Sequence, residues 1–202
     1  MEKKNPIIEF GIRILKSKIF WFFLIIFVVV FLIQGYVAER ILVQGESMEP
    51  TLQNGDMLLI EKRTYAEKEP ERYDVVVAIS EATGTKQQYV KRIIGLPGET
   101  IKIKKGFVFI NGEQLEEPVS YDLIEDGGMA RNKMELGDDE YFLLGDNRNE
   151  SKDSRHVEVG IIKKEQIKGK VCLRILPLNK IGNIEKITNE AIKEKEEVTE
   201  DE

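Results

Sequence analysis

The stretch QYVKRIIGLPGETIKIKKGFVFING, residues 88 to 112, reads as three consecutive β-strands with their turns. Gln88–Ile94 is rich in aromatic and β-branched residues, and Leu96-Pro97-Gly98 ends it in a turn. Thr100–Lys104 then alternates isoleucine with lysine at the period of two expected of a strand with one buried face. Lys105-Gly106 and Asn111-Gly112 are hairpin signals, because tight hairpin turns need residues that tolerate positive φ. Working outward from this segment, Ile41–Gln44, Met57–Glu61, Asp74–Ile79, Phe107–Ile110, Tyr141–Leu144 and Val171–Leu176 read as further strands. No amphipathic helix of more than about ten residues interrupts them. Short strands between frequent turns predict a mainly β domain, an antiparallel barrel or sandwich. Glu116–Glu140 mixes Glu, Asp, Gly and Pro with few apolar residues and reads as a surface excursion.

Upstream of the β region, the twenty positions Ile19–Ala38 carry no charge. A helix rises about 1.5 Å per residue, so such a stretch reaches about 30 Å, the thickness of a bilayer's hydrocarbon core. Lys3, Lys4, Arg13, Lys16 and Lys18 precede it and only Arg40 follows closely. The positive-inside rule therefore puts the N-terminus in the cytoplasm and the remainder outside, with Trp21 and Tyr36 at the interfaces. The competing reading is a cleavable signal peptide, with Tyr36-Val37-Ala38 as a small-residue site. Gln34 and Gly35 leave the helix able to continue, and an uncleaved anchor accounts for the whole stretch. The expected organisation is a cytoplasmic segment (1–18), a transmembrane anchor (19–38), an extracytoplasmic β-rich domain (39–182) and an acidic tail (183–202).

Of the 202 residues and net charge of −6, that tail holds eight acids against three lysines, which leaves the body nearly neutral. A body without a basic block argues against nucleic acid as a partner. The tail is expected to be solvated, disordered or a frayed helix. The single cysteine, Cys172, excludes an internal disulfide, and Val171-Cys172-Leu173 suits a small buried side chain.

The chemistry suggested by the chain turns on a scarcity: there is one histidine, His156, and so at most one possible Ser–His pairing. Ser47 lies in the turn-prone segment Ser47-Met48-Glu49-Pro50-Thr51, and Lys91 lies inside the apolar strand. A free lysine titrates near about 10.4 and cannot take a serine proton at neutral pH. To act as a base it must be lowered by about two to three, an ammonium destabilised by about 3 to 4 kcal/mol. Burial among valine, isoleucine and tyrosine is the available means. Arg92 pushes the same way, although strand alternation points it to the other face. On pattern alone, the plainer reading of Lys91 is a solvent-facing strand lysine, and of Ser47 a simple turn.

What changes that reading is the set of three blocks in order. Ser47-Met48-Glu49-Pro50-Thr51 is followed by Tyr89-Val90-Lys91-Arg92-Ile93-Ile94-Gly95-Leu96-Pro97-Gly98 and then by GDNRNESKDSR, residues 145 to 155, all behind a candidate membrane anchor. The chain from about residue 19 to 182 resembles the bacterial type I signal peptidases of the small, single-span kind. The resemblance implies a largely antiparallel β domain resting against the membrane, with Ser47 as nucleophile and Lys91 as general base. It implies Ser151 as the hydroxyl orienting the lysine amine, and Asp153 and Arg155 as a supporting ion pair with Arg92 nearby. Ile41, Val43, Met48, Tyr89 and Val90 would line shallow pockets for small side chains. The substrates implied are secretory preproteins, cut after a small residue such as alanine, and no metal or organic cofactor is implied.

The oxyanion formed in such a reaction needs a preorganised donor, and the Ser47 backbone N–H is the first candidate. Some relatives place a serine two residues before the nucleophile; here that position is Gly45, so a second donor must come from backbone or from another group. After the third block, His156-Val157-Glu158-Val159-Gly160 sets the glycine later than the family's usual spacing. Asp146–Asp153 resembles a calcium loop at first glance, but Arg148 stands where a ligand is required. A Gly-x-Ser-x-Gly elbow, His-Glu-x-x-His and Ser-x-x-Lys are all missing. Two other readings stay open. One is a self-cleaving Ser–Lys regulator of the LexA-like kind, which the span argues against. The other is an inactive membrane-anchored β domain that binds a partner.

Overall fold

The computed structural model describes residues 17–117 and 122–188, and the chain forms two compact units that divide after Ala38. In the first unit, the apolar run becomes helix α1 (Lys18–Val37). Side chains are described for its residues 18–29, and among the described residues no helix is long and apolar enough to cross a membrane. Lys3, Lys4, Arg13 and Lys16, on which the predicted orientation depends, lie outside the described residues.

The second unit is built on two antiparallel sheets. The larger takes in β1 (Ala38–Leu42), β2 (Met57–Glu61), β3 (Val75–Ser80), β4 (Gln87–Gly95), β9 (Glu140–Leu144), β10 (Ile162–Lys163), β11 (Ile167–Leu176) and β12 (Gly182–Asn183). Its order is β1-β2-β11-β3-β4-β9-β10, with β12 pairing the far half of β11. The smaller sheet runs β7-β6-β5-β8, from β5 (Thr100–Lys104), β6 (Phe107–Ile110), β7 (Glu113–Gln114) and β8 (Met134–Glu135). Lys104 pairs with Phe107 and Ile110 with Glu113, so both predicted hairpins close over two residues. Lys105, Gly106, Asn111 and Gly112 all take positive φ, the geometry that matches strand twist. The larger sheet stays open from β1 to β10, and no closed barrel forms among the described residues.

The sheets fold because the apolar faces meet in three clusters. Val75 and Val77 of β3 point into one, with Ile41, Val43, Met48, Leu58 and Ile60; Val76 and Ala78 point into another, with Ile93, Tyr141, Leu143 and Ile162. A strand buried on both faces reads as an unbroken apolar run, which is what Val75–Ile79 is. The third cluster joins the sheets, packing Ile94, Phe142 and Leu144 against Ile101, Ile103, Val108 and Ile110.

Three expectations change. The Glu116–Glu140 excursion is anchored, since Ile124, Ala130 and Leu136 are buried in the third cluster; residues 118–121 within it lie outside the described residues. Residues 184–188 are helical, and Ile184 and Ile187 join the first cluster, so the body continues past Gly182 into the segment read as tail; residues 189–202 lie outside the described residues. Cys172 is half-buried beside the Glu61 carboxylate, because β11 at this point turns its even-numbered side chains away from the core.

Candidate active site

Ser47 sits on the turn that leaves β1. The turn is fixed from within: Met48, Thr51 and Leu52 are buried, and the Leu52 N–H donates to the Met48 carbonyl at 2.8 Å. Lys91 stands in the middle of β4, opposite Val76 of β3, and is 3% exposed. Its Nζ donates to Ser47 Oγ at 2.6 Å and to the Val90 carbonyl at 3.1 Å. The two residues singled out 44 positions apart are thus in direct contact. The plainer reading of Lys91 as a solvent-facing strand lysine is overturned by its burial.

That burial has an electrostatic consequence. Taking an ammonium out of water disfavours the charged form, and Lys91 falls to about 8. The carboxylates of Asp153 and Asp146 pull it back up and Arg155 pushes it down. Arg92, expected to add to the shift, is bound elsewhere. It turns to the opposite face, as strand alternation requires, and grips Asp146 in a bidentate pair, Nε to Oδ1 at 2.8 Å and Nη2 to Oδ2 at 2.6 Å. Burial raises Asp146, but the Arg92 charge and hydrogen bonds outweigh it and hold the carboxyl below the usual range.

The third block forms the loop behind the pair. Arg155 binds Asp153 through Nε and Nη2, each at 2.8 Å, and the Gly145 N–H donates to Asp153 Oδ2 at 3.1 Å. Asn147 ties the loop to the serine turn, its N–H donating to the Ser47 carbonyl at 3.1 Å and its Nδ2 to the Glu46 carbonyl at 3.3 Å. Gly145 is where the serine turn and the loop touch. A Cβ there would collide with Ser151 Oγ and the Ser47 carbonyl. Ser151 is buried, and its hydroxyl takes no hydrogen-bond partner among the described residues; the contact to Lys91 implied by the resemblance is not formed.

Ser47 and Lys91 open into a cleft of about 620 Å³, and all five predicted pocket residues, Ile41, Val43, Met48, Tyr89 and Val90, line it. Lys91 Nζ lies 5.9 Å from the centre of the Tyr89 ring. Of the two oxyanion candidates, Gly45 has its N–H donated to Asn54 Oδ1 at 3.0 Å. The Ser47 N–H has no acceptor among the described residues. His156 is partly exposed and accepts from the Asp153 N–H at 3.4 Å, with no bond to Ser47. Among the described residues no cluster of three or more His, Cys, Asp or Glu is placed to hold a metal ion. Asp146, Asn147 and Gly145 are the residues that sequence reasoning passed over. Their positions inside the third block were the only available signal.

The family model described as signal peptidase, peptidase S26 matches residues 16–176. The chain therefore belongs to the signal peptidase S26 family, which are serine endopeptidases. Among its relatives, a probable signal peptidase I-2 from Synechocystis sp. is 35% identical over 176 residues, which cover 83% of this chain and 75% of the relative. Signal peptidase I P of Bacillus subtilis subsp. natto is 36% identical over 165 residues, 78% of this chain and 88% of the relative. A crystal structure of a signal peptidase I from Enterococcus faecalis V583 is 30% identical and covers 51% of this chain and 97% of its own, with a TM-score of 0.39.

Proposed function

We propose that the chain is a membrane-anchored signal peptidase that removes signal peptides from secretory preproteins after a small residue, using Ser47 as nucleophile and Lys91 as general base. The contact of Lys91 Nζ with Ser47 Oγ at 2.6 Å, in a cleft and with the amine lowered by burial, carries the reading. In the neutral enzyme the hydrogen bond reverses, the Ser47 hydroxyl donates to the amine, and the proton passes to Nζ as Oγ attacks the scissile carbonyl. The Lys91 ammonium then protonates the leaving amine, and the acyl-enzyme is resolved by a water that Lys91 deprotonates in turn.

The Ser47 N–H serves as the oxyanion donor, an interaction worth about 3 to 4 kcal/mol. With Gly45 bound to Asn54, a second donor comes from another group, or from Gly45 after that bond opens. Ser151, whose buried hydroxyl has no partner among the described residues, orients the amine once acylation removes Ser47 Oγ from it. Asp153 and Arg155 fix the loop that carries Ser151. The walls formed by Ile41, Val43 and Met48 are nearly fully buried, so they yield little to a large side chain, and small residues fit the cleft best. The uncharged run Ile19–Ala38 is taken as the anchor on its sequence alone, with the N-terminus inside and the cleft on the outer face.

The test is cleavage of a labelled secretory preprotein by the detergent-solubilised chain and by Ser47→Ala and Lys91→Ala, with N-terminal sequencing of the product. Both variants should lose at least about 10³-fold while remaining folded. A wild-type chain that is folded but cuts nothing, or a Ser47→Ala variant that cuts equally well, would favour an inactive binding domain.

A further inference from the structure

The family match ends at residue 176, yet the chain beyond it does not leave the domain. Residues 184–188 form a helical turn whose Ile184, Ile187 and Thr188 are 6%, 4% and 6% exposed. Ile184 and Ile187 belong to the same buried cluster as Ile41, Val43 and Met48, which line the cleft. Ile187 also lines a small depression with Pro50 and Thr51, the end of the serine turn.

Thr188 reaches the same place by a polar route. Its hydroxyl donates to the Ile184 carbonyl at 2.9 Å and accepts from Arg92 Nη2 at 3.4 Å. That one guanidinium nitrogen also faces Thr51 Oγ1 at 3.4 Å and Asp146 Oδ2 at 2.6 Å. Nη2 of Arg92 is therefore a junction of the C-terminal turn, the serine turn and the first acidic residue of the 145–155 loop.

We propose that residues 184–188 are a positioning element of the active site: Ile184 and Ile187 back the cleft wall, and Thr188 holds Arg92 so that the serine turn and the 145–155 loop keep their spacing. The proposal rests on the reading of Ser47 and Lys91 as the reacting pair. Thr188 acts through Arg92 and touches neither substrate nor the reacting atoms. Misplacing a nucleophile by a fraction of an ångström slows chemistry without weakening substrate binding. The effect therefore falls on kcat.

The experiment uses the full-length, detergent-solubilised chain with Thr188→Val, Thr188→Ser and Ile187→Ala, measuring kcat, KM, the site cut and the unfolding temperature, with Ser47→Ala alongside. Thr188→Val keeps the volume and removes the hydroxyl, so it should fold normally and lose about tenfold or more in kcat with little change in KM. Thr188→Ser should restore most of the rate, and Ile187→Ala should add cuts at neighbouring positions. If Thr188→Val matches the wild type in kcat, or if its loss simply follows a fall in unfolding temperature and Thr188→Ser does not restore it, the turn is structural only and the proposal is wrong. If instead Ser47→Ala remains active, the failure lies with the Ser–Lys reading itself.

Discussion

Lys91 and Arg92 are neighbours on β4, both 3% exposed, and they teach opposite lessons about buried charge. Arg92 faces a carboxylate that matches its fork, and its charge is compensated by Asp146 within 2.6 to 2.8 Å. Lys91 faces a serine hydroxyl and a carbonyl instead, and, buried with no carboxylate bound to its Nζ among the described residues, it surrenders its proton more readily. One side of the strand is thus built to keep a charge and the other to lose one. The most damaging way to break this contrast is to make the two sides alike. Lys91→Arg places a guanidinium that stays protonated where a neutral base is needed. Its kcat/KM should fall by at least about 10⁴-fold, as measured by preprotein cleavage; residual activity within about tenfold of the wild type would rule out Lys91 as the base.

Asp146→Asn attacks the other side. It leaves Arg92 buried without its counter-charge, a change that costs about 3 to 5 kcal/mol and should appear as a lower midpoint in chemical denaturation. Asp146 is also one of the two carboxylates that raise Lys91. With its charge gone, Lys91 falls below about 8, and the acid limb of the kcat/KM profile moves to lower pH. An unmoved limb would show that the two sides are electrostatically independent.

Lys91→Met sharpens the comparison from the stability side. The folded chain holds Lys91 at about 8, against an ordinary value of 10.5. Between those values the unfolded chain binds the extra proton, so stability rises with pH across that window, and below about pH 8 the buried ammonium destabilises the fold. The difference corresponds to about 3 kcal/mol. The methionine variant should therefore be inactive yet more stable than the wild type by up to about 3 kcal/mol at pH 7, with the gain fading toward pH 10.5. In the wild type, kcat/KM should climb through about pH 8 as the base forms. Equal stability of the two chains at pH 7 would mean that the lysine is not strained by its site.

Much of this was legible in the sequence. Met57–Glu61, Thr100–Lys104 and Phe107–Ile110 form strands over the predicted bounds, because their side chains alternate or their turns carry hairpin residues. Ser47 and Lys91, which the structure brings into contact, were singled out from the three blocks. The Arg92–Asp146 bond was not, since nothing in local pattern links residues 54 apart, and Asp146 looked like one more loop acid. β8, β10 and β12 have two residues each, too few to show a period. β11 begins at Ile167, four residues before the predicted start, because Lys168, Gly169 and Lys170 hide a strand whose glycine lies against the Glu61 carbonyl. The helical turn at 184–188 was hidden because its two isoleucines stand in a short polar and charged stretch, Asn183 to Thr188, that runs into the acidic segment.

Cys172 supplies the smallest effect and the clearest limit on what burial can do. It lies half-buried on β11, and burial together with the Glu61 carboxylate pushes its thiol up. The physical cause is the one that lowers Lys91: loss of water favours the neutral form of either group. The chemical outcome is opposite, because a neutral amine is a base whereas a neutral thiol is a poor nucleophile. Iodoacetamide should therefore label Cys172 in the folded chain at pH 8 several-fold more slowly than in urea, with the rate rising at higher pH. Cys172→Ala should leave kcat/KM within about twofold and change stability by less than about 1 kcal/mol. Labelling as fast as in the unfolded chain would mean that the thiolate is accessible and the shielding at this edge of β11 is incomplete. Desolvation favours whichever form is uncharged, and it yields a reactive group only where that form is the reactive one, as proposed for Lys91.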